Sequence, residues 1–97
     1  MELVFKESEK IYGNKPAYEV EFTATSDFNL HIERKSGGYF LVYQKAVSGG
    51  KYAIVDNMGW QNGKDVIDLD FVGAVYPKFI KVVSESEVTM GVVTISE

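Results

Sequence analysis

Apolar and polar residues alternate along most of this chain. Over 18–24, Tyr18, Val20, Phe22 and Ala24 share one parity, while Glu19, Glu21 and Thr23 take the other. Over 28–33, Phe28, Leu30 and Ile32 oppose Asn29, His31 and Glu33. A β-strand sends successive side chains to opposite faces, so each stretch predicts a strand with one buried and one wetted side. The same period of two runs through 64–72, where Ile67, Leu69 and Phe71 oppose Asp68 and Asp70. Residues 39–44 are different, because Tyr39, Leu41 and Tyr43 alternate with the equally apolar Phe40 and Val42. That predicts a strand covered on both sides, or one with a face given to contact. Further strands are predicted over 51–56, 78–84 and 87–96, with a short edge strand over 2–5. No i, i+3, i+4, i+7 apolar stripe predicts a helix.

Turn chemistry separates these segments. Tyr12-Gly13-Asn14-Lys15-Pro16 reads as a loop, and Ser26-Asp27 as a tight link between neighbouring strands. Ser36-Gly37-Gly38 and Ser48-Gly49-Gly50 read as recurring hairpin chemistry, which makes 28–56 a three-stranded meander. Gly73 to Pro77 reads as a crossing, with a trans Tyr76–Pro77 bond expected because only roughly 5% of such bonds are cis. Seven or eight short strands with this turn spacing predict one all-β domain over 1–97, an antiparallel β-sandwich. Immunoglobulin-like and jelly-roll-like strand orders fit the spacing equally.

Composition sharpens the class. At 45% hydrophobic and 13% aromatic, the 97 residues are ample for a core and unlike a disordered chain. The net charge of −4 and the single arginine leave no basic footprint for nucleic acid. With no cysteine, disulfides, thiolate metal sites and cysteine nucleophiles are excluded. The amino-terminal MELVFKESEK has no apolar core of a secretory signal, and no run approaches a membrane helix, so no membrane partner is expected.

Candidate chemistry is thin. His31, the only histidine, falls on the polar parity of its strand and reads as a solvated surface residue. Asp68 and Asp70 share a face, but catalytic carboxylate pairs flank a cleft; here they read as a wetted face that protects an edge. Asp56, Asn57, Asp65, Asp68 and Asp70 supply hard oxygen donors for calcium, yet DNMGWQNGKD departs from the EF-hand pattern after its first residue. Gly59 and Gly63 miss the phosphate-loop spacing, and Asp65 stands where a hydroxyl is required. No metal or cofactor is expected, and no catalytic residue is assigned. What remains is aromatic. Trp60, the only tryptophan, reads first as a ring folded back over one end of the core. A stacking platform for a glycan, with Tyr39, Tyr43 and Tyr52, or a protein contact are its alternatives.

The run SDFNLHIERKSGGYFLVYQKAVSGGKYAIVDNM, followed by DVIDLDFVGAVYPKFIKVVSESEVTMGVVT, resembles a type of short virion protein from tailed phages and prophages, particularly of gut bacteria. The likeness lies in strand rhythm rather than in a motif, so it transfers no site residues. It implies a decoration, auxiliary capsid or fibre-associated protein located on a virion and acting by contact. Two features of the residues agree with that role. The terminal strand carries Val88, Met90 and Val92 on one parity and Val93 and Ile95 on the other, more apolar surface than one core face holds. Unpaired strand edges also invite another chain. The expected function is therefore a non-enzymatic assembly protein, bound to a shell or to copies of itself. A carbohydrate-binding module built on Trp60 is the alternative.

Overall fold

The computed structural model describes residues 1–8, 17–55 and 59–96. The expected Tyr12–Pro16 loop, Asp56 and Asn57 lie outside the described residues. Among the described residues eight strands form: β1 (Lys6–Glu7), β2 (Tyr18–Ala24), β3 (Phe28–Arg34), β4 (Phe40–Lys45), β5 (Ala53–Ile54), β6 (Val66–Phe71), β7 (Lys78–Ser84) and β8 (Val88–Ile95). They build two antiparallel sheets, ordered β1-β2-β7-β4-β5 and β6-β3-β8. The protein is an all-β sandwich. In an immunoglobulin domain the second strand lies between the first and fifth; here β2 lies between β1 and β7.

The period of two decides which side chains meet. Phe22 and Ala24 of β2, Phe40 and Val42 of β4 and Ile80 and Val82 of β7 point inward. They face Phe28, Leu30 and Ile32 of β3, Ile67 of β6 and Val93 of β8. At one end of the core, Phe28 stacks on Phe71 with ring centres 4.7 Å apart and meets Phe22 edge-on at 5.5 Å. Asp27 ties that end together: its carboxylate accepts from Gly73 N at 3.1 Å, and its carbonyl accepts from Ser96 N at 2.7 Å.

Several expectations change. Residues 28–56 are not a meander, because β3 and β4 belong to different sheets. Only Ser48–Gly50 turns a hairpin, β4 to β5, with Gly50 N bonded to Val47 O at 2.9 Å. Ser36–Gly38 instead carries the chain from one sheet to the other. Gly38 has φ 139°, and a Cβ on Gly37 would lie 2.9 Å from the Gly63 carbonyl oxygen, so the glycines serve a crossing and a close backbone approach. Of the strand expected over 51–56, the described residues 51–55 form only Ala53–Ile54, and Tyr76–Pro77 is cis.

The strand expected at 2–5 becomes a strap. Glu2 bridges Val92 on the outer edge of β8, with Leu3 N to Gly91 O and Val93 N to Met1 O both at 2.8 Å. The chain then crosses to the other sheet, where β1 pairs with β2. Gly91 makes the crossing fit, since a Cβ there would lie 3.0 Å from Phe5 Cε1 and 3.3 Å from Leu3 Cβ. Gly91→Ala is expected to cost about 1–3 kcal/mol by overpacking, read as a lower urea midpoint at unchanged slope. An unchanged midpoint would show that the strap does not need the space.

The terminal strand is also corrected. The register of β8 on β3 shifts between Glu33 and Arg34, so Met90 faces Glu33 while Val88, not Thr89, faces Arg34. This bulge moves Val88 to the core side, away from the parity of Met90 and Val92. Val93 is fully buried and Ile95 packs on the core. Of the five apolar residues expected at an interface, only Met90 and Val92 face outward.

Candidate functional site

Three polar or aromatic constellations stand out, on the outer face of each sheet and at one end of the sandwich. The end is organised by the chain's single arginine. Arg34 closes the inward row Phe28, Leu30, Ile32 and is 4% exposed, so its guanidinium must find partners inside the protein. Nε donates to Lys64 O at 2.8 Å. Nη1 donates to Tyr39 O at 3.0 Å and Ser84 Oγ at 3.1 Å. Nη2 reaches Gly38 O at 2.8 Å, Asn62 O at 3.0 Å and Gln61 O at 3.3 Å. Five N–H groups thus serve six neutral acceptors, and the plane also lies 5.6 Å from the centre of the Phe40 ring. Burial pulls the guanidinium below its usual pKa, while the charges of Glu85 and Asp65 pull it back up.

Arg34 therefore fastens two loops, 38–39 and 61–64, to the end of the core. Asn62 completes the join: its side-chain oxygen accepts from Phe40 N at 3.0 Å and its carbonyl from Gly38 N at 2.7 Å. Nothing of the guanidinium is left for a ligand. Sequence reasoning missed this role because arginine is seldom buried. The available signal was parity, which places Arg34 in line with Ile32.

That arrangement settles the position of Trp60. The turn Gly59–Gln61 is a short 3₁₀ helix in which Gln61, 2% exposed, takes the inward position. Trp60 does not fold back over the core; it stands 65% exposed, with Lys64 Nζ 4.4 Å from its ring centre. Tyr39 joins the same end through its backbone carbonyl.

Tyr43 and Tyr52 come together elsewhere, on the outer face of the five-stranded sheet, with ring centres 6.5 Å apart. Lys81 lies 5.1 Å and 4.9 Å from these two rings, and Lys45 lies 4.4 Å from Tyr52 and 5.9 Å from Phe79. Burial first, then nearby Glu21, holds the Tyr52 phenol above its usual pKa. Leu41 and Tyr43 are half-buried here, so this face of β4 is partly covered rather than open. The recess beside it measures about 210 Å³, smaller than the roughly 300 Å³ at which small-molecule sites begin. The four aromatic residues expected to share a platform are thus divided between two places.

On the outer face of the three-stranded sheet, His31 bridges two carboxylates. Its Nδ1 lies 2.8 Å from Asp68 Oδ2 across to β6, and its Nε2 lies 2.8 Å from Glu33 Oε2 on its own strand. Asn29 Nδ2 donates to Asp68 at 2.6 Å and Asp70 at 3.0 Å. The histidine is therefore half-buried and engaged, not a freely solvated side chain. The hydrogen bonds to Glu33 and then Asp68 raise its pKa above the ordinary 6.5. Asn29 and then His31 lower that of Asp68 below the ordinary 3.8. Among the described residues, no group of three or more His, Asp or Glu is placed to hold a metal ion.

The sign of the pH effect follows. A raised histidine pKa adds stability that is complete below pH 6.5 and disappears as pH rises through the folded value. A lowered aspartate pKa adds stability present above pH 3.8 and lost as pH falls through its folded value. The bridge is thus strongest between roughly pH 4 and 6.5. Calorimetry is expected to find wild type losing more stability than His31→Gln between pH 5.5 and pH 8.5. Parallel losses would remove the bridge as a contributor.

Compared with known proteins, the chain matches no family model, no curated protein and no solved structure.

Proposed function

We propose that this protein works by contact, as a small assembly component, and that the virion role implied by its strand rhythm is the setting for it. The supporting observation is the outer edge of β6. Among the described residues no strand pairs with it, and it runs into Val72 and Val75, which are 74% and 81% exposed. Open edges and exposed apolar side chains are what association uses. The groups best suited to chemistry, Arg34 and His31, are engaged in internal hydrogen bonds. The test is sedimentation with particles from the protein's source, together with light scattering after size exclusion. Co-sedimentation supports the proposal. A monomer that stays in the supernatant ends it.

A glycan-binding reading has one observation in its favour, the exposed ring of Trp60. It predicts glycan-array binding that Trp60→Ala abolishes, while stability changes by less than about 0.5 kcal/mol, as expected of a surface substitution. A silent array removes this reading.

A further inference from the structure

The β6 edge has a direction and a charge. Arg34 N donates to Asp65 O at 2.9 Å, and the register then pairs Ile32 with Ile67, Leu30 with Leu69 and Phe28 with Phe71. Hydrogen-bonded and non-hydrogen-bonded positions alternate along an antiparallel pair. Ile67, Leu69 and Phe71 therefore turn their backbone groups toward β3, whereas Val66, Asp68 and Asp70 turn theirs away from the sheet. The other flank of β3 agrees. On β8, Gly91 and Val93 bond outward to the strap, which leaves Val92 and Thr94 to face His31 and Asn29.

This edge differs from the others described. β1 and β5 are two residues each, and the outer edge of β8 is taken by the strap. On the outer face of β6 the side chains run Val66, Asp68, Asp70, all exposed; on the inner face Leu69 and Phe71 are only half-buried. An added strand would cover the side chains of Leu69 and Phe71 and supply partners to three residues of backbone.

The charges select among such strands. Asp68 and Glu33 flank one imidazole on this face, and Asp70 shares the Asn29 amide with Asp68, so carboxylates outnumber cations. Two copies of β6 paired about a two-fold axis would set Asp68 and Asp70 against the same acids of the second copy, and like charges across a ladder destabilise it. The acids that reject a second copy favour a strand of opposite charge. We infer that the open edge of β6 docks an extended segment of another protein, one that carries Lys or Arg opposite Asp68 and Asp70 and small apolar residues between them. Main-chain bonds at Val66, Asp68 and Asp70 hold the segment, and the alternate side chains give it specificity.

This inference rests on the contact role proposed above, and the two can fail separately. The probe is a synthetic peptide alternating lysine with valine, followed by amide chemical shifts in the full chain. Its counterpart has glutamate for lysine. Asp70→Pro removes one outward donor and one carboxylate, and proline is tolerated on an edge strand where the N–H faces solvent. The expected result is saturable shifts centred on Val66, Asp68 and Asp70, with affinity at least roughly tenfold lower for the glutamate peptide and for Asp70→Pro. Asp70→Lys should narrow the preference between the peptides, since Asp68 and Glu33 remain, which keeps the test independent of the proline variant's stability. Equal affinity for both peptides, shifts centred elsewhere, or self-association through β6 as concentration rises would overturn the inference. If wild type and Asp70→Pro sediment equally with particles, the contact role stands and the edge is not its surface. If the peptide binds β6 but wild type never sediments, the edge stands and the particle role falls.

Discussion

Arg34→Met is expected to lower stability by about 3–5 kcal/mol, because it strips partners from groups that stay buried. Arg34 is 4% exposed and donates to five backbone carbonyls and Ser84. Methionine fills much of the volume and satisfies none of those acceptors. For a domain of this size the loss corresponds to a fall in Tm of roughly 15–30 °C. Arg34→Lys should recover little, since an ammonium donates from one point and cannot span loops approaching from several directions. The measurement is urea unfolding followed by circular dichroism. If Arg34→Lys unfolds at the wild-type midpoint, the fork of hydrogen bonds is not what holds this end of the sandwich.

Phe40→Ala is expected to cost a similar amount, about 3–5 kcal/mol, for a different reason. Phe40 is 0% exposed and lies on the core side of β4 beneath the guanidinium. Its loss removes a buried ring and leaves a cavity that the two sheets cannot collapse to fill. Phe40→Leu, which keeps most of the volume, should cost less than half as much. Because the two side chains touch, Arg34→Met combined with Phe40→Ala should cost less than the two single losses added together. Strict additivity in urea midpoints would mean that ring and guanidinium act independently.

These residues show where the sequence was informative. The period of two identified the strands and the inward rows Phe28–Leu30–Ile32 and Ile67–Leu69–Phe71, because it reports a local geometry that each strand imposes alone. Sheet membership is not local. Ser36-Gly37-Gly38 has the chemistry of a hairpin, and only the approach of Gly63 in space makes it a crossing. The bulge opposite Glu33 and Arg34 reassigns Val88 by one residue, a shift no alternation pattern contains. Trp60 stands outside because its neighbour Gln61 is held beside Arg34, a long-range contact between the end of β3 and this turn. The two serine-glycine-glycine runs and the aromatic residues were legible as chemistry, whereas their placement depended on the partner each met.

For function, the acids of β6 were visible as a wetted face, and the structure adds that this face ends at an edge with which no strand among the described residues pairs. Hydrogen exchange along β6 in the free protein is the most direct measurement. The amides of Ile67, Leu69 and Phe71 should be protected by β3, while those of Val66, Asp68 and Asp70 exchange at least roughly a hundredfold faster. Uniform protection along all six residues would contradict the account, because it would mean that this edge is already covered.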